Sequence, residues 1–103
     1  MELHARKRLE ITVEKRRLQT VVDILDADGE VTGYTVLRTL GGRGHTGDRM
    51  PQPYSDVLDT VVVVAIVKAE VAARLVETLA PLIEEIVGIV AISDVQVMRA
   101  GHF

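Results

Sequence analysis

Along residues 8 to 14 (RLEITVE) apolar and polar positions alternate, with Leu9, Ile11 and Val13 on one face and Arg8, Glu10, Thr12 and Glu14 on the other. A period of two predicts a strand with one buried face. From Lys15 the period lengthens: Leu18, Val21, Val22 and Leu25 recur at helical spacing, while Arg16, Arg17, Asp23 and Asp26 point elsewhere. This helix is expected to end near Asp28-Gly29, where a glycine suits the left-handed position that closes many helices. Residues 33 to 40 (GYTVLRTL) are rich in strand formers and predict a second strand.

A glycine-dense stretch, Gly41-Gly42-Arg43-Gly44-His45-Thr46-Gly47-Asp48-Arg49, follows and runs into Met50-Pro51-Gln52-Pro53, whose prolines suit neither a central strand nor a helix interior. A loop is expected at about residues 41 to 55, longer than most connections inside a compact domain and therefore a candidate for function. Residues 57 to 67 (VLDTVVVVAIV) predict a strand that is apolar at every position from Val61, so both of its faces need cover. A second helix begins near Lys68, with Val71, Leu75, Leu79, Leu82 and Ile83 on one stripe and Pro81 placed to kink or reset it. Gly88 breaks that pattern, and residues 89 to 98 (IVAISDVQVM) read as a last strand with Ala91, Ser93, Val95 and Val97 on one face.

Strand, helix, strand, strand, helix, strand is the order of an α+β, ferredoxin-like βαββαβ domain with an antiparallel sheet. Right-handed crossovers put both helices on one side of it. The other side is left bare, and the run Val61 to Val67 makes it apolar. Self-association through that face, for instance as a closed homotrimer, is the simplest way to cover it.

The chain's 103 residues suit one domain, taken as 1–103. With Tyr34, Tyr54 and Phe103 as its only aromatic residues, the core must be aliphatic. The absence of cysteine excludes disulfides and thiolate chemistry and fits the cytoplasm. The charged start shows no apolar signal-like run, and no segment approaches the length that spans a bilayer, so direct membrane insertion is not expected. A net charge of −3 argues against a nucleic-acid partner held over a wide phosphate surface.

Within this acidic chain, Arg38, Arg43 and Arg49 against Asp48 make residues 38 to 49 locally basic. Glycines let backbone N–H groups approach an anion, and arginine clamps phosphate through paired hydrogen bonds, so Thr39 to Gly47 has the chemistry of an anion site. It lacks the lysine of a P-loop and the following helix of a dinucleotide fingerprint, and a flexible loop without ligand stays equally open. Arg99 adds a second cation if the chain end folds over the same cleft, and is otherwise an exposed terminal arginine. His4, His45 and His102 are too far apart for a short-spaced metal motif, Glu84-Glu85 reads as a solvated helix end, and no nucleophile, base and carboxylate arrangement suggests an enzyme.

Gly33-Tyr34-Thr35-Val36 running into a glycine-rich loop resembles the PII signalling superfamily, where a Gly-x-Thr-Val strand leads into the long T-loop. Gly88 to Phe103 (GIVAISDVQVMRAGHF) is similar to the close of the carboxysome-associated, bicarbonate-related PII-like subgroup. The resemblance implies a trimeric sensor, not an enzyme, that binds an adenine nucleotide between subunits and signals through the T-loop. By position, Thr35 resembles the residue beside the adenine, and Gly41, Gly42, Arg43 and Gly44 the T-loop base near the phosphates. Val87 and Gly88 stand where the family's B-loop lines the nucleotide, and Arg99 resembles the C-terminal arginine that reaches the phosphates.

That B-loop's threonine, glycines and lysine are missing from Glu84-Glu85-Ile86-Val87-Gly88, so ADP or AMP is expected rather than a magnesium triphosphate. The T-loop departs from the modified signature, and no uridylylation is carried onto Tyr54. The subgroup also implies bicarbonate, near Gly41, Gly42 and Arg43, and a bicarbonate transporter or carboxysome-related partner for the T-loop. No metal or resident cofactor is implied. The alternative is a structural ferredoxin-like trimer similar to the divalent-cation tolerance proteins, without nucleotide.

Overall fold

In the computed structural model, residues 2–44, 47–49, 59–86 and 88–99 are described, with 42–44 and 47–49 described in their backbone alone. In chain order the elements are β1 (His4–Glu14), a 3-10 turn (Lys15–Arg17), α1 (Leu18–Ala27), β2 (Thr35–Arg38), β3 (Gly42–Gly44), β4 (Gly47–Arg49), β5 (Thr60–Val67), α2 (Ala69–Glu85) and β6 (Gly88–Val97). Four strands form one antiparallel sheet in the order β2-β5-β1-β6, while β3 and β4 pair only with each other. Without that small hairpin the succession and strand order are those of the ferredoxin-like fold expected from the sequence.

β1 is the spine, paired with β5 on one side and β6 on the other. It starts four residues earlier than the alternation at Arg8 predicts, because His4 to Lys7 pair with Val97 to Asp94. A polar run such as HARK carries no hydrophobic signal, so its strand character comes from pairing, all four residues with β6 and Lys7 also with Val67 of β5. Lys7 and Asp94, opposite each other in that register, form an ion pair.

One face of the sheet holds the core. Leu9, Ile11 and Val13 lie beside Val61, Val63, Ala65 and Val67 and beneath Val21, Leu25, Val71, Leu75 and Leu79, each 5% exposed or less. α2 lies along β1 and β6 and also meets α1. The opposite face carries Val62, Val64 and Ile66 between Thr35 and Leu37 of β2 and the polar row Arg8, Glu10 and Thr12 of β1. No described helix packs there: the three β5 side chains are half-buried, and Leu37 and Ile89 are exposed. The apolar run from Val61 thus divides between a filled core and a bare sheet face. No described helix supplies its second cover.

Three expectations change. α1 ends at Asp28 in extended backbone rather than at a left-handed Gly29. The Asp28 carboxylate accepts the Glu30 N–H at 3.0 Å, and its carbonyl accepts the Val31 N–H at 3.1 Å, so an aspartate-built turn does the work assigned to glycine. α2 runs through Pro81 to Glu85, with Pro81 on the exposed side. The glycine-rich stretch is not irregular throughout: the backbone of Gly42 to Gly44 pairs with that of Arg49 to Gly47. The rest of the expected loop, together with Val57, Leu58, Val87 and the chain end from Ala100, lies outside the described residues.

Arg74 of α2 fastens the turn after α1, donating from Nε and Nη2 to both carboxylate oxygens of Asp28 and from Nη2 to Glu30. The hydrogen bonds from Arg74, then the Glu30 N–H, hold the Asp28 carboxyl below its usual range. A depressed carboxylate stabilises the fold above its unfolded pKa of about 3.9, and that contribution fades as pH falls through the lower folded value. Urea titrations at a series of acidic pH values should show wild-type protein losing stability from about pH 4 downward, with a shallower slope in Arg74→Ala.

Gly88 starts β6 in a space too small for a side chain. A Cβ there would lie 3.0 Å from the Thr12 carbonyl oxygen, 3.1 Å from Ile83 Cδ1 and 3.3 Å from Val13 Cγ1. Gly33 meets nothing within 4 Å. Gly88→Ala is expected to cost about 1–3 kcal/mol in denaturant unfolding, and Gly33→Ala to stay within about 0.5 kcal/mol of wild type.

Candidate functional site

The antiparallel register gives the sheet two unlike ends. At one, β1 and β2 finish and β5 and β6 begin; the β3–β4 hairpin is attached here through β2. At the far end, His4 pairs with Val97.

The hairpin end is fixed by two threonines. Thr39, just past β2, donates from Oγ1 to the Thr60 carbonyl at 2.9 Å, and the same oxygen accepts from the Thr60 hydroxyl at 2.7 Å. Thr60, 8% exposed, is the buried polar residue of the described core, and this pairing satisfies its hydroxyl. Across β5, the Lys15 N–H donates to the Asp59 carbonyl at 2.9 Å, so both segments flanking β5 are held at its start. Neither threonine was singled out by sequence reasoning. The available signal was a lone hydroxyl residue at the threshold of a valine run.

The predicted site residues fall into three groups. Thr35 opens β2, exposed on the bare face and registered against Val64, beside Leu37 on its own strand and Ile66 on β5. This places a hydroxyl at the margin of an aliphatic surface. Gly41 is exposed at the hairpin end and leads into Gly42, Arg43 and Gly44 of β3, where Arg43 is registered opposite Asp48. Gly88 lies at the same end but across the sheet, since β1 and β5 separate β6 from β2. Val87 is outside the described residues.

Arg99 stands apart from all of these. It is exposed beyond β6 at the far end, and the nine residue steps from Gly88 to Val97 span roughly 30 Å at strand rise. The structure therefore gathers the hairpin-base residues and Gly88 at one end and leaves Arg99 at the other. A single copy does not bring the expected phosphate ligands together.

The chain matches the family model described as nitrogen regulatory protein P-II over residues 6–102. It belongs to the P-II family. As a member of that family it is a PII-like regulatory protein, and the match covers the sheet, both helices and the hairpin. No curated protein matches it in sequence.

Among solved structures, this PII-like chain is similar to CPII from Thiomonas intermedia K12, a nitrogen regulatory PII-like protein bound to ADP, AMP and bicarbonate. The two are 31% identical with a TM-score of 0.89, covering 99% of this chain and 96% of that one. CPII bound to ADP and bicarbonate aligns at 32% identity and a TM-score of 0.88, covering 99% and 97%. A PII-like signalling protein from Thermus thermophilus shares the fold at 23% identity and a TM-score of 0.84, over 100% and 99% of the two chains.

Among the described residues no three His, Asp or Glu side chains converge on a possible metal site, and no helix is long and apolar enough to cross a membrane.

Because Thr39 ties the hairpin strand to β5, Thr39→Val should loosen that end without unfolding the sheet. The expected loss is about 1 kcal/mol in global stability. Faster amide hydrogen exchange at residues 39 to 44 should accompany it, with exchange across β1 unchanged.

Proposed function

We propose that this PII-like protein is a nucleotide sensor that binds ADP or AMP, together with bicarbonate, in clefts between the subunits of a homotrimer. The observation that carries this reading is the separation of Arg99 from the hairpin base along the length of β6. A ring of copies places the far end of one chain beside the hairpin end of another, and heterologous contacts of that kind are what cyclic trimers use. The bare face of Val62, Val64, Ile66 and Leu37 supplies the apolar surface to be buried in the same assembly.

In this reading the purine rests at the Thr35–Val64 margin, whose hydroxyl and aliphatic neighbours suit an adenine's polar edge and apolar faces. The phosphates lie by Gly41, Gly42, Arg43 and Gly44 on one side and by Arg99 of a neighbouring copy on the other. Val87 and Gly88 close the cleft. Bicarbonate sits among Gly41, Gly42 and Arg43, where backbone N–H groups and a guanidinium offset its charge. The CPII structures holding ADP, AMP and bicarbonate at 31–32% identity support this ligand set.

The signal passes through the T-loop at about residues 41–55, whose conformations the ligands must bind unequally for any response to follow. Its target is a bicarbonate transporter or a carboxysome-related protein, and the setting is the cytoplasm and inorganic-carbon metabolism. The chain acts as one domain over residues 1–103 and performs no chemistry on its ligand.

Titration calorimetry with AMP, ADP, ATP and cyclic AMP, with and without bicarbonate, tests the reading. ADP and AMP should bind, bicarbonate should tighten at least one of them, and Arg99→Ala should weaken ADP by about tenfold or more, as loss of a charge-assisted hydrogen bond does. No heat with any nucleotide would instead favour a structural trimer.

A further inference from the structure

We propose that the cations at the start of α1 form, with Arg38, a docking patch for an acidic segment of a partner protein. The patch draws on two elements at the hairpin end. Lys15 and Arg17 come from the 3-10 turn, Arg38 from the last position of β2. They are neighbours in the fold: Lys15 is hydrogen-bonded to Asp59 just ahead of β5, and Arg38 is registered against Val61 two residues further on.

These charges are not used by the fold. Lys15, Arg17 and Arg38 have no ion pair among the described residues, whereas Arg16 between them is paired with Glu14 at 3.1 Å. Arg17 Nε is buried without a hydrogen-bond partner, an uncommon state for a donor that water cannot reach. The turn also places Lys15, Arg16 and Arg17 at the positive end of α1, with no side-chain cap and no acidic residue in its first turn. Cations there oppose the helix dipole. Such a breach of local preference, compensated by an ion pair at Arg16 but not at Lys15 or Arg17 among the described residues, is expected where a residue serves binding rather than stability.

Charge complementarity selects an acidic polypeptide as the occupant, in preference to nucleic acid. The patch is small and bounded by carboxylates, Glu14 and Asp59 beside it and Glu84 and Glu85 where α2 ends at the same end of the molecule. The chain as a whole carries −3. A short run of side-chain carboxylates fits between these groups; a continuous phosphate backbone would be carried across them. A segment seated here also touches the base of the hairpin. That would couple docking to the loop state if the nucleotide reading holds, but the patch itself rests on charge and burial and not on that reading.

The test uses fluorescence anisotropy of the full chain with a labelled glutamate-rich peptide, and an oligothymidylate of equal charge as the competing polyanion. Lys15→Glu and Arg38→Glu each change the net charge by the same amount as Lys68→Glu, an exposed control ahead of α2 at the far end. The peptide is expected to bind wild type, to weaken as salt rises, and to weaken by about five- to tenfold in each patch variant. The control should stay within about twofold of wild type.

Equal loss in Lys68→Glu, or no peptide binding by wild type, overturns the proposal, and tighter binding of the oligothymidylate reassigns the patch to nucleic acid. ADP calorimetry on the same variants separates the two readings. Retained nucleotide heat with lost peptide binding supports a distinct patch. Loss of both in Lys15→Glu, with the circular dichroism spectrum unchanged, would place the cation in the nucleotide site instead and overturn it.

Discussion

Everything in this structure depends on the double pairing of β1. By accepting β5 on one side and β6 on the other, one alternating strand fixes the sheet order, aligns Leu9, Ile11 and Val13 over the helices, and turns Arg8, Glu10 and Thr12 to a face that no described helix covers. A register shift of one residue would invert every one of these assignments. The same pairing sets the ends of the molecule, because antiparallel partners force β6 to start where the hairpin is attached and to deliver Arg99 at the opposite end.

The consequence is a molecule whose expected site residues are divided between its two ends. Thr39 and Thr60 clamp the hairpin to the start of β5, and Gly88 is squeezed between β1 and the end of α2, so the hairpin end is positioned by specific contacts rather than by loop flexibility. At the far end the chain offers an exposed arginine on the end of a long strand. Val62, Val64 and Ile66 stay half-buried on the sheet face opposite the core, which no described helix covers.

Much of this was legible in the sequence. The alternation at Leu9 to Val13, the helical stripes of Val21 and Leu25 and of Val71, Leu75 and Leu79, and the valine run at β5 announce element type because each repeats a burial period. What stayed hidden lacks that period. His4 to Lys7 became strand only through pairing with β6 and, at Lys7, with β5, Asp28 replaced Gly29 as the helix stop through a side-chain hydrogen bond, and the β3–β4 pairing arose in a stretch whose glycines read equally as loop. The expected site residues rest on family likeness rather than on chemistry readable in the chain. Thr35 and Arg99 look ordinary in the chain, and their separation is a property of topology. Thr39 and Thr60 carry no motif, since two threonines 21 positions apart meet only after β2 and β5 have paired.

The central claim is that the ligand site exists between copies and not within one. Sedimentation velocity across a dilution series, following ADP absorbance together with protein mass, tests it most directly. The account predicts that ADP travels only with the assembled species and is released in step with dissociation. A monomer that carries ADP with undiminished affinity would contradict it.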